Sequence, residues 1–137
     1  MSRPPIHTDW TPIYSDTLLA CSRIAWSLLA LFIVVGSAGT WAPSQGGIWA
    51  PTMISLFDVA QNVALYVPFG ILGMLSLQRS DVRGVARVTA IAILFSVAVE
   101  ALQLYTVDRV ASLTDIASAA IGTACGAAAI ALFFSPR

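Results

Sequence analysis

Residues 24–35, IAWSLLALFIVV, are apolar at every position but Ser27, and their surroundings extend the run to about 18–41. About 20 apolar residues at about 1.5 Å each suffice to cross about 30 Å of hydrocarbon. Arg23, near the start of the run, can snorkel back to the headgroups. A cleaved signal peptide is the alternative, because Ser37, Ala38 and Gly39 follow the apolar core. Against it, the segment before the core is long for an n-region and carries little basic charge.

Working outward, the same pattern recurs. Residues 42–55, APSQGGIWAPTMIS, are uncharged and rich in Pro and Gly. They read as a loop, with Trp41 and Trp49 at headgroup depth. A second span follows over about 57–77, with Pro68 near its middle. That proline frees the carbonyl of residue 64 and is expected to kink the helix. Arg79, Asp81, Arg83 and Arg87 mark a short charged turn before a third span over about 85–105. A polar turn over 106–113 leads to a fourth span over about 114–134. Residues 1–17, punctuated by Pro4, Pro5 and Pro12, read as a tail near the membrane surface.

Composition agrees. Of 137 residues, 58% are hydrophobic and 10% charged, against roughly a quarter charged in soluble domains. So few charges cannot make a water-facing surface. The expected fold is an all-α membrane protein, four transmembrane helices in one small bundle, with no room for a separate soluble catalytic domain. The seven basic residues are all Arg, which points to a coding bias rather than to chemistry. Cys21 and Cys125 each stand alone in apolar stretches, so no metal site or cofactor is expected.

Arginines set the orientation. Arg3, Arg23, Arg79, Arg83, Arg87 and Arg137 fall on one side of a four-span bundle and Arg109 alone on the other. Positive charge marks the cytoplasmic side, which predicts both termini inside. The second span then enters from outside, with Asp58 at its outer end, Asn62 one turn deeper on the same face, and Tyr66 a turn beyond. The third span travels outward and carries Glu100 and Gln103, three apart on one face, in its last two turns. Arg109 lies in the outer loop, and Asp115 opens the fourth helix. Asn62 and Glu100 should share a depth about 7 Å below the outer edge.

A carboxylate such as Glu100 must pair, accept hydrogen bonds or stay protonated at that depth. Asp115 can cap the fourth helix, where the dipole favours an anion, or join the cluster, or do both. Asp58 can be an interfacial charge, Glu100 and Gln103 can be interhelical hydrogen-bonding groups, and Arg109 can be a solvated loop charge. Ser118, Gly122 and Gly126 form a small-residue stripe that suits close packing inside the bundle or, less simply, a homodimer seam.

Three segments resemble the VanZ-like family of bacterial membrane proteins. FDVAQNVALYVPFG supplies Asp58, Asn62, Pro68, Phe69 and Gly70. EALQLYTVDR supplies Glu100, Gln103 and Arg109. DIASAAIGTACG supplies Asp115, Gly122 and Gly126. One departure is Ala119, where the family pattern has Asn. The resemblance implies a multi-pass protein of the bacterial cytoplasmic membrane and a link to teicoplanin resistance, since the family's namesake is associated with it.

Three functions compete. A cell-envelope binding or modulating protein would use Asp58, Asn62, Glu100, Gln103, Arg109 and Asp115 to hold a membrane lipid headgroup, a lipid-linked cell-wall intermediate or a lipoglycopeptide. A membrane-embedded enzyme would divide acid and base roles between Glu100 and Asp115, with Arg109 stabilising developing charge; no nucleophile dyad or metal-ligand set supports it. A small transporter or structural assembly factor is the third, although the inner halves of the spans lack polar lining. No nucleic-acid partner is expected, and the oligomeric state stays open.

Overall fold

A computed structural model describes residues 16–37, 56–105 and 111–134. Four helices account for nearly all of them: α1 (Asp16–Ser37), α2 (Leu56–Ser76), α3 (Val82–Gln103) and α4 (Leu113–Phe133). Each is long and apolar enough to cross a membrane. Their exposed faces carry Leu28, Leu31, Phe32, Leu94, Leu132 and Phe133, which suit a lipid surround as they would not suit water. The chain is an all-α membrane protein.

The α2–α3 connection shows how local chemistry sets the helix ends. Arg79 N–H donates to the Met74 carbonyl and Gln78 N–H to that of Leu75, the paired bonds of a Schellman stop. The residue in the left-handed position is Gln78, at φ 50°, where glycine would be easier. Asp81 then caps α3, its Oδ1 accepting from Gly84 N–H at 3.0 Å. This cap starts α3 three residues before the expected boundary. Arg83 and Arg87 therefore sit on the helix rather than in a turn. The Arg79–Asp81 ion pair, 3.4 Å and solvent-exposed, adds little to stability.

Packing is uneven. α2 and α4 are in the closest contact, α3 lies against α4, and α1 packs chiefly on α2. Glycine explains the first pair. A methyl group placed on Gly122 would collide with the Val63 carbonyl, one on Gly126 with that of Val67, and one on Gly70 with that of Thr123. Backbone meets backbone, and each glycine Cα faces a carbonyl oxygen of the other helix, the setting for a weak Cα–H···O contact. The small stripe on α4 is thus used inside the bundle.

The segment Pro68-Phe69-Gly70 divides three tasks among three consecutive directions on α2. Pro68 is exposed on the outer face, with Ala64 one turn before it also exposed, and the helix runs unbroken past both. Phe69, 2% exposed, joins an aromatic group with Trp26 of α1 (5.3 Å between centroids), Tyr66 (5.8 Å) and Phe95 of α3 (5.7 Å). Such pairs add roughly 0.5–1.5 kcal/mol beyond burial. Gly70 faces α4. A second cluster, Met74, Val88 and Ala127, closes the other half of the bundle.

Candidate functional site

Alternating helix directions bring the N-terminal end of α2, the C-terminal end of α3 and the N-terminal end of α4 to one end of the bundle. Their first or last two turns carry Asp58, Asn62, Glu100, Gln103 and Asp115.

Two hydrogen bonds tie these helices together. Asn62 Nδ2 donates to Asp115 Oδ1 at 2.7 Å, joining α2 to α4. Ser112 N–H donates to Glu100 Oε2 at 2.7 Å, joining α3 to the start of α4. Both acceptors are carboxylates, so both bonds belong to the stronger class in a low dielectric. Ser112 and Asp115 are three apart on α4, about 4.5 Å along the axis. Glu100 and Asn62 therefore meet α4 at neighbouring levels.

The cap of α4 is Ser112, whose Oγ accepts from Thr114 N–H at 3.2 Å. Asp115 stands in the first turn, three residues on, where the helix dipole still favours its charge. In a capping box the residue at that place would reach back to the cap N–H. Here Glu100 takes that N–H from another helix, and Asp115 accepts the Asn62 amide.

Glu100 and Gln103 are each only 6% exposed, lying on the buried face of α3. One turn before Glu100 on that face lies Ser96, and Ser96, Glu100 and Asp115 are all near enough to act on the Tyr66 hydroxyl. The polar group thus continues inward to Tyr66 and Ser96 before the aromatic core begins. Asp58 is exposed in the first turn of α2, further out on the face of Asn62 and Tyr66. Burial increases along that face from Asp58 to Tyr66. Arg109, Trp41 and Trp49 lie outside the described residues.

Ser96 and Ser112 are the members that motif reading passed over. Each had a signal: Ser96 stands four before Glu100, and Ser112-Leu113-Thr114-Asp115 has the form of a helix start. Ala119, four after Asp115, is fully buried in the core with Tyr66 and Phe69. An asparagine there would face the inner part of the polar group. Among the described residues no group of His, Cys, Asp and Glu is arranged to hold a metal ion.

Fold and site together define a multi-pass membrane protein with a buried, carboxylate-centred polar cluster at one end of its bundle. The family model described as VanZ/LLP1 matches residues 14–134, and the chain belongs to that family. No curated protein and no solved structure matches it.

Proposed function

We propose that this VanZ-like protein resides in the bacterial cytoplasmic membrane with both termini inside, and that its polar end faces outward to bind an envelope ligand. The ligand class is a lipid headgroup, a lipid-linked cell-wall intermediate or a lipoglycopeptide such as teicoplanin, each joining a polar group to an apolar chain. The observation that carries this reading is the hydrogen-bonded meeting of α2, α3 and α4 through Asn62–Asp115 and Glu100–Ser112. It holds two carboxylates at one bundle end, above an aromatic and apolar interior. Asp58, exposed in the first turn of α2, and buried Gln103 are the further polar members of this end, and Arg109, in the loop that follows α3, supplies the cation for a phosphate or carboxylate.

Both carboxylates accept bonds that hold helices in place, which favours recognition over proton transfer by Glu100 or Asp115. Alanine substitution at Arg109 tests the reading in cells, scored as teicoplanin and vancomycin susceptibility with membrane abundance as control. Loss of a teicoplanin phenotype at normal abundance is expected. An unchanged phenotype at normal abundance removes Arg109 from the site.

A further inference from the structure

The end of the bundle opposite the polar cluster carries a second arrangement. α1 and α3 run parallel, both starting at that end, and they touch only sparingly. Gly73 of α2 sets their relative level. A methyl group placed on Gly73 would lie 2.6 Å from Val88 Cγ1 and 3.3 Å from Trp26 Cζ2. The tip of the Trp26 ring and the side chain of Val88 therefore meet at one level. Arg23 lies one turn below Trp26, and Arg87 lies one residue below Val88. The two arginines therefore lie at the same end of the bundle, each within about a turn of that level.

Helix geometry then gives their direction. On α3, Val88 faces the bundle, and Val85, about 60° to one side, packs with the cluster shared with α4. Arg87 is about 100° round to the other side, away from α4 and toward α1, whose Trp26 and Leu29 pack, as Phe95 does, against the cluster around Phe69. On the parallel helix α1, the same handedness places Arg23 about 60° from Trp26 on the flank turned toward α3. Both arginines are exposed. Among the described residues the ion pair at this end is that of Arg79 with Asp81, and no carboxylate pairs with Arg23 or Arg87.

We infer that the α1–α3 groove is a binding site for an anionic phospholipid. Arg23 and Arg87 hold its phosphate from the two walls, and an acyl chain lies along Trp26, Leu29 and Phe95. Charge complementarity selects the occupant: two cations at the depth of a headgroup, above an apolar groove, fit an anionic lipid better than a zwitterionic one. This site is independent of the polar end and of the function proposed for it.

The test is native mass spectrometry of the full chain released from detergent micelles. It is titrated with phosphatidylglycerol or with phosphatidylcholine of the same acyl chains. The wild type should retain phosphatidylglycerol preferentially. Arg23→Gln and Arg87→Gln should each weaken that retention about fivefold, leaving phosphatidylcholine binding unchanged. Arg79→Gln, which removes an equal charge from the same end, should have little effect. Equal retention of the two lipids by the wild type overturns the site without recourse to any variant. A loss in Arg79→Gln matching that in Arg87→Gln reduces it to general surface charge and overturns it equally.

Discussion

At the scale of single residues, Glu100 shows how one side chain can serve architecture and recognition together. It lies on a membrane-spanning helix yet accepts the N–H of a helix cap twelve residues later. Glu100→Ala leaves that N–H without its acceptor and should cost about 1–3 kcal/mol. Glu100→Gln keeps an acceptor oxygen and removes the charge. It should therefore retain most of the stability, read as thermal unfolding in micelles, while losing any function that depends on the anion. If both variants lose stability equally, the charge itself holds the helix end. Sequence spacing placed Asn62 and Glu100 at one depth, because helical rise is regular. It could not name their partners. Those are set by how three helices rotate about their axes: the helix start at Ser112 is legible, but not that Glu100 of another helix accepts its N–H. Asp115 was open between cap and cluster, and the geometry divides the roles: Ser112 caps, and Asp115 receives Asn62 from within the first turn.

Among elements, the α2–α4 pair is the firmest unit of the bundle, and its strength comes from the absence of side chains. Gly122→Ala and Gly126→Ala would drive a methyl group into the carbonyls of Val63 and Val67. Each should separate the helices at a cost of about 1–3 kcal/mol, as overpacking does, despite a gain of up to about 1 kcal/mol in helix propensity. Gly73→Ala is the comparison, since its nearest neighbours are the side chains of Val88 and Trp26, which can shift. Unfolding midpoints should fall further for the first two than for the third. A reversed order would mean that side-chain packing, and not backbone approach, governs the pair. The stripe Ser118-Gly122-Gly126 was legible as a close-packing face; which helix would occupy it was not. Periodicity describes one helix at a time, and a stripe of small residues serves any partner with a smooth face. The early start of α3 is hidden in the sequence for a related reason. Asp81 reads as one charge among several in a turn until its carboxylate is found on the Gly84 N–H.

For the whole molecule, arginine placement predicts an asymmetric object, with Arg23, Arg79, Arg83 and Arg87 at one end and the polar cluster at the other. Cysteine labelling checks the orientation in a chain whose exposed Cys21 and Cys125 have been replaced. Ser80→Cys should react only from the cytoplasm and Ser44→Cys only from outside. The opposite pattern would place the polar cluster inside the cell and remove its access to external envelope ligands. What the sequence by itself determined is the membrane, the four helices and the segregation of polar residues to one end. All three follow from length, hydropathy and helical rise, which act along the chain. Tertiary structure alone decided that α4 lies against α2, that Phe69 gathers α1 and α3 around it, and that Glu100 ends on the cap of α4 and Asn62 on its first turn. These depend on the rotation and pairing of helices inside lipid. There hydrophobicity does not discriminate between partners, and close packing and hydrogen bonds choose among them.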